Sequence, residues 1–282
     1  MLSKDTKSLL LYPPKQLAGC IAAGIFRDTR NASLSDMDRF NYFPASPLIS
    51  VTYVIDGEIR LVGKADSLDD AKQAIPIAPQ SITLPCSQPI ISWSPAPVTA
   101  LTLAFYPDAW QKLGYDLEAD IVPADLASAL SCFHACLNPD RCWAEFGQSF
   151  SPHWNKARNV SGSPHWAGSD RLADWSRYHL GRLSLVSAAG RSIRTIERQI
   201  KRMSGQTKQS LNFYSAIENL HKLTVISPEN SLADIAVEAG FSDQSHMGRA
   251  VRRATGFSPA KLNQLIETEE PFWCYRLLGE RF

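Results

Sequence analysis

Along the first 110 residues of the chain, apolar and polar side chains alternate in short runs. Leu48 to Ile55, Glu58 to Val62, Ser81 to Leu84, Ile90 to Trp93 and Thr99 to Phe105 are rich in β-branched and aromatic residues and are separated by Pro, Gly and Asp. Such runs with such boundaries predict strands. Asp56-Gly57, between two of the runs, is a hairpin signal. After Pro107 the period lengthens: Pro107 to Gly114, Ala124 to Leu137, Arg141 to Phe150 and Ser169 to Arg182 carry apolar residues at helical spacing. Ser151 to Gly168 holds two Pro-His-Trp triplets in Pro-, Ser- and Gly-rich surroundings and reads as a linker.

The last third of the chain repeats one pattern. From Gly190 it reads G-R-S-I-R-T-I-E-R-Q-I-K-R-M-S-G, and from Gly240 it reads G-F-S-D-Q-S-H-M-G-R-A-V-R-R-A-T-G, with one residue inserted. Each copy has a turn glycine, a serine two residues on, an apolar stripe at helical spacing, a basic cluster and a closing glycine. Short helices, Leu185 to Ala189 and Leu232 to Ala239, precede the two turns, and their small residues Ala188, Ala233 and Ala236 allow a close helix crossing. Gly190 and Gly240 suit the left-handed conformation at a helix end, and Ser192 and Ser242 are the expected N-caps of the two helices after the turns. A tandem helix-turn-helix is the simplest account.

In the first reading helix, Ile193, Ile196, Ile200 and Met203 should face a core, leaving Arg194, Thr195, Glu197, Arg198 and Lys201 outward. In the second, Met247, Val251 and Ala254 should pack, and Gln244, Ser245, His246, Arg249 and Arg252 should point away. That outward set suits nucleic acid. Arginine grips guanine with two parallel bonds, glutamine does so for adenine, and further cations neutralise phosphates. A lone basic amphipathic helix is ordinarily a solvated surface; two matched copies with glycines 50 residues apart are not.

The stretch from about Asp170 to Glu267 resembles the DNA-binding domain of the AraC/XylS transcription regulators. The pattern I-A-x-x-A-G-F-S-D-Q-S-H-M-x-R-x-V-R-R-x-T-G-F-S-P, Ile235 to Pro259, carries the likeness. The resemblance implies seven helices, with two helix-turn-helix units joined by one helix (here about Leu211 to Leu223) and entering successive major-groove segments. It assigns base contacts to Arg194, Glu197 and Arg198 in the first unit and to Gln244, Ser245 and Arg249 in the second. Ser192, Lys201, Ser242 and Arg252 become backbone contacts. The chain departs from the pattern at Ile200 and Val251, where an aromatic is usual, at Val186, where a small residue is usual, and at Gly248 inside a helix.

Charge follows the same division. Residues 171–282 carry 16 Lys and Arg against 11 Asp and Glu, net +5, while the first 170 carry 13 against 17, net −4. The overall +1 therefore hides a basic half, the one with the reading helices. With 282 residues, 44% of them hydrophobic, the chain is long enough for two cores. No apolar run has the length of a membrane span, and the expectation is a cytoplasmic protein.

Six cysteines fit that compartment as thiols. Cys132, Cys136 and Cys142, with His134 and His153 nearby, form one cluster that suits either a buried stripe or a soft-metal or redox site. Cys86, in L-P-C-S, is similar to the Pro-Cys of DNA alkyl-transfer proteins, but Ser87 and Gln88 stand where His-Arg should come next. That motif supplies the rival function, a DNA-modifying alkyl acceptor. Otherwise no enzyme is expected: His is absent from the first 133 residues, and no nucleophile elbow, P-loop or dinucleotide fingerprint occurs.

Many AraC/XylS regulators carry an amino-terminal barrel or jelly roll that binds an effector or pairs two chains, and the layout here resembles a small barrel followed by helices. Tyr42, Tyr53, Trp93 and Phe105, with Phe43, Tyr106 and Trp110, are candidates for an apolar ligand pocket or for plain core. The fold expected is thus α+β. A β-barrel or jelly-roll-like domain with trailing helices spans 1–150, a linker 151–168, and an all-α domain with two helix-turn-helix units and a docked aromatic tail, P-F-W-C-Y-R-L-L-G-E-R-F, spans 169–282. Expected partners are double-stranded DNA and a small-molecule effector, with RNA polymerase and a second copy of the chain as candidates; no cofactor, metal or membrane is called for.

Overall fold

A computed structural model describes residues 6–63, 67–118, 120–134, 138–160, 172–188, 194–195, 197–198, 201, 206–226 and 231–279. Strand β8 (Thr99–Phe105) is the centre of its larger sheet, flanked by β2 (Ile21–Asp28) and β4 (Ile49–Asp56), with β1 (Lys7–Leu11) and β6 (Gln80–Thr83) outside them. Every pairing is antiparallel. Leu101 stands opposite Phe26 and Tyr53, and Leu103 opposite Gly24 and Val51. The period-two pattern of β8 thus puts Leu101, Leu103 and Phe105 on one fully buried face.

Helices cover that face. After β8 come α2 (Pro107–Lys112), α3 (Ala124–Leu130) with a 3-10 turn at Ser131–Phe133, and α4 (Pro139–Val160). Trp143, Phe146, Phe150 and Trp154 recur at three- and four-residue steps on α4 and are buried, Phe146 and Phe150 stacked with centroids 5.5 Å apart. Burial of each such ring is worth about 1.5–3 kcal/mol. Ten residues of the stretch read as linker, 151–160, continue α4 instead. Pro152 has no N–H for the carbonyl of Gln148, and the Ser151 hydroxyl donates to that oxygen at 3.5 Å. Residues 161–168 lie outside the described residues.

A second sheet, β3-β7-β5, consists of β3 (Phe40–Phe43), β7 (Ile90–Trp93) and β5 (Arg60–Val62). Phe40, Val62 and Trp93 pack there with Ala71 of α1 (Leu68–Gln73). Two expectations change here. Asp56-Gly57 makes the tight turn, with φ +86° at Gly57 and no room for a β-carbon, which would lie 2.5 Å from the Pro97 carbonyl oxygen. Yet the flanking strands do not form a hairpin: β4 pairs with β6 and β8, β5 with β7. Among the described residues the two sheets are also not joined by a ladder into a closed barrel.

The carboxy-terminal half is helical: α5 (Leu172–Ala188), α6 (Lys208–Ile226), α7 (Leu232–Glu238), α8 (Gln244–Thr255), α9 (Pro259–Thr268), a 3-10 turn at Glu270–Phe272 and α10 (Trp273–Leu278). Of the short helix read at Leu185 to Ala189, Leu185 to Ala188 are the end of the longer α5, and Ala189 lies outside the described residues. Leu220, Ile235, Ala236, Phe241, Met247, Val251, Leu262 and Ile266 form a second core. Trp175 of α5 and Leu211 of α6 belong instead to the core of the β-domain, and Trp175 Nε1 donates to the buried Asp108 carboxylate at 2.9 Å. The halves therefore share packing as well as a chain.

Candidate nucleic-acid interface

The second unit is built from local rules. Ser231 caps α7, its hydroxyl accepting from the Asp234 amide at 3.2 Å. The helix closes at Gly240, φ +101°, a conformation that disfavours any residue with a β-carbon. Phe241 then drops into the core, and α8 starts. Its N-cap is Asp243 rather than the expected Ser242: the Asp243 carboxylate accepts from the His246 amide at 2.7 Å. That bond, then one from the Ser242 hydroxyl, holds the Asp243 carboxyl below the usual carboxylate range. Both residues are good caps by type, and the sequence does not separate them.

Helix α8 divides cleanly. Met247, Ala250, Val251 and Ala254 are buried, while Gln244, Ser245, Arg249 and Arg252 are exposed together on the other side. From Ser245 to Arg252 that exposed row runs about 10 Å at 1.5 Å per residue. His246 is exposed but turned back on the turn, its Nδ1 3.2 Å from the Ser242 hydroxyl and its ring edge-on to Phe241. Arg253 lies over the Phe213 ring of α6 at 4.7 Å, so its charge serves packing. Ser242 is exposed at the N-terminal end of α8.

In the first unit, Arg194, Glu197, Arg198 and Lys201 are helical and exposed. Ser192, Gly190 and the apolar stripe Ile193, Ile196, Ile200 and Met203 lie outside the described residues. The joining helix, expected over Leu211 to Leu223, is the longer α6.

Gly248 sits in the middle of the exposed row of α8, and a β-carbon there would meet nothing within 4 Å. Gly248→Ala is therefore expected to stabilise the chain by about 1 kcal/mol, the difference in helix propensity. Urea denaturation measures it; a loss of stability would show that α8 is not an ordinary helix at that position.

The four aromatics proposed for a ligand pocket fall into two groups, with Tyr42 packed against the cluster that holds Trp93. Tyr53 and Phe105 belong to the main core and Trp93 to the small cluster beneath the second sheet, while Tyr42 stacks on Phe272 of the carboxy-terminal tail at 4.6 Å. Two surface clefts of about 490 and 400 Å³ among the described residues, one beside Tyr115 and Asp116 and one beside Tyr12 and Trp143, include none of the four.

The thiols are also embedded in structure. Cys132 points its sulfur at the Ala129 carbonyl, 3.2 Å away, and burial, with Cys142 and Glu145 nearby, pushes it up to about 12. Cys136 lies outside the described residues. No group of three metal-ligating side chains occurs among the described residues. Cys86 donates to the Gln88 carbonyl, and its own carbonyl takes the Tyr214 hydroxyl at 2.7 Å. Iodoacetamide at pH 8 is expected to modify half-buried Cys86 and to leave Cys132 untouched in the folded chain, read by peptide mass. Rapid Cys132 labelling would mean that α3 and α4 part readily.

Residues 185–264 match a family described as a helix-turn-helix domain. Over 74 residues the chain is 38% identical to the HTH-type transcriptional activator RhaS of Escherichia coli (strain K12 / DH10B), a stretch that is 26% of each protein. The chain thus spans about a quarter of the length of the curated relatives it matches. Among solved structures, unsaturated fatty acid-bound ToxT from Vibrio cholerae strain SCE256 is 12% identical with a TM-score of 0.39, over 86% of this chain and 96% of that one. A second ToxT structure from Vibrio cholerae is 13% identical with a TM-score of 0.39, over 79% and 93%. No described helix is long and apolar enough to cross a membrane. Its carboxy-terminal segment is thus similar to the helix-turn-helix domain of AraC/XylS-type transcription regulators.

Proposed function

We propose that this protein is a sequence-specific, double-stranded DNA-binding transcription regulator that reads two successive major-groove segments under the control of its amino-terminal domain. The exposed row Gln244, Ser245, Arg249 and Arg252, set behind a left-handed turn and backed by a buried apolar face, carries the reading. Its chemistry is that of base edges and phosphates. Arg194, Glu197 and Arg198 are the corresponding base contacts of the first unit. Lys201, Ser242 and Arg252 contact the backbone, as does Ser192.

The amino-terminal domain takes a small molecule or pairs two copies of the chain, and it acts by favouring one arrangement of the halves over another. The shared packing around Trp175 supports such coupling, since a change in the β-domain reaches α5 directly.

Selection of bound sequences from a random duplex pool by the full-length protein tests the proposal. Two enriched blocks about one helical turn apart are the expected result. Gly248→Ala should weaken binding to the selected duplex although it strengthens the fold, because the added methyl stands between Gln244 and Arg252 on the reading row. Selection that enriches nothing, with or without candidate effectors, would overturn the function.

A further inference from the structure

The carboxy-terminal tail, beyond the segment matched to the helix-turn-helix family, contains a buried charge pair that the proposed DNA reading leaves unused. Glu270 accepts from Arg27 Nη2 of β2 at 2.5 Å, and both side chains are 7% exposed. Arg276 reaches the other Glu270 oxygen at 2.9 Å, and Arg27 Nη1 donates to the Ser8 hydroxyl at 2.6 Å. Arg27 Nε is buried with no partner, so without Glu270 the guanidinium would keep only the Ser8 hydroxyl and the Trp273 ring face, and no counter-charge. A buried cation left in that state is costly, whereas an apolar pair of similar volume would pack without penalty. What the ion pair adds over such a pair is direction.

Aromatic contacts around it fix the same direction. Phe272 lies flat on Tyr42 with 4° between the rings, and Trp273 stands at 90° to Phe43. Trp273 Nε1 donates to the Asn41 side-chain oxygen at 2.7 Å, and the Arg27 guanidinium covers the Trp273 face at 4.5 Å. The loop after β3 continues the grip: the Ala45 amide donates to the Ala254 carbonyl at the end of α8, at 2.8 Å. None of this covers Gln244, Ser245, Arg249 or Arg252, which stay exposed. At the other end, Trp175 ties α5, which leads toward the first unit, to Asp108. The amino-terminal domain therefore holds α5 at one end and the second unit at the other.

We propose that Arg27 and Glu270 are positioning residues for two-block DNA recognition, holding the second helix-turn-helix unit at one orientation on β2 and β3 so that one separation of the DNA blocks fits. The inference rests on the DNA-reading function proposed above. Without the ion pair, only the aromatic contacts of the tail and the Ala45–Ala254 bond hold the second unit to the β-domain, and the unit tracks its block when the block moves.

The test uses the full-length chain and the duplex that the wild-type protein selects. Two altered duplexes accompany it: one carries a base change in the block lost on Arg249→Ala, and one carries that block moved by a base pair, about 3.4 Å and 35° of rotation. Wild type should bind each altered duplex about tenfold or more weakly. Glu270→Gln should bind the moved and unmoved blocks within about threefold of each other and keep its full penalty for the base change. The double variant Arg27→Met, Glu270→Leu leaves no unpaired charge between those positions, so it serves if the single variant does not fold. It should show the same relaxed spacing with a thermal midpoint close to wild type. Spacing discrimination retained in the double variant, or missing in wild type, overturns the proposal. Failure of wild type to distinguish the base change overturns the DNA-reading function beneath it.

Discussion

Replacing Arg198 and Arg249 together by alanine is expected to abolish sequence-selective DNA binding and leave the fold intact. Both side chains are exposed, so truncation should change stability by no more than about 0.5 kcal/mol. A bidentate arginine contact to guanine is worth about 1–3 kcal/mol of discrimination. The two arginines sit on different reading helices, so their losses should add to about 2–6 kcal/mol, or roughly 30-fold to 10⁴-fold in affinity. Titration of the selected duplex at one fixed salt concentration measures this, because phosphate neutralisation makes affinity fall steeply with salt. Lys201→Ala provides the contrast: binding should weaken on every sequence alike, and the salt slope should fall by about one. If the double variant lost as much on random DNA as on the selected duplex, both arginines would be phosphate contacts and the assigned base readers would be wrong.

Local chemistry decides which parts of the molecule are legible in its sequence. The second unit is legible almost to the residue, because a left-handed glycine, a cap and a 3.6-residue apolar period sit within Gly240 to Gly256. Only its cap differs from expectation, by one position between two adjacent side chains that both accept bonds well. The strand β2 shows the opposite case. Its sequence I-A-A-G-I-F-R-D has small residues that weaken a strand pattern, and the reason for one of them is non-local: a β-carbon on Gly24 would lie 3.2 Å from the Trp143 ring of α4. The Asp56-Gly57 turn is legible as a turn, but strand partners are chosen by packing far along the chain.

The candidate site divides in the same way. Helical periodicity predicts the exposed face of α8, since that face arises from its own spacing. The ion pair of Arg27 and Glu270 joins positions 243 residues apart, and nothing in either neighbourhood announces it. The tail's aromatic content does signal docking, but not the surface it docks on. Aromatic content alone does not separate pocket from core: Tyr53 and Phe105 sit in the main core, and Tyr42 packs against the small cluster that contains Trp93.

Trp175→Ala should be the most destabilising of the substitutions considered, costing about 3–5 kcal/mol for the lost ring. Trp175 is fully buried, 5.7 Å from the Tyr106 ring and 4.9 Å from His179. Its indole N–H also supplies a hydrogen bond to Asp108, a carboxylate 7% exposed at the start of α2. Loss of that donor leaves a buried acceptor short of a partner, a further penalty of about 1–3 kcal/mol. Against a total stability of about 5–15 kcal/mol, the sum is enough to unfold much of the population. Trp175→Phe separates the two contributions: it keeps most of the ring and removes only the donor, so the smaller penalty should appear alone. Guanidinium titration followed by circular dichroism gives both values. Because Trp175 is where α5 enters the core of the β-domain, the alanine variant should also expose α5 to proteolysis before the β-domain itself is cut. A midpoint within error of wild type for Trp175→Ala would mean that α5 is not anchored there, and that the amino-terminal domain has no direct hold on α5 through that ring.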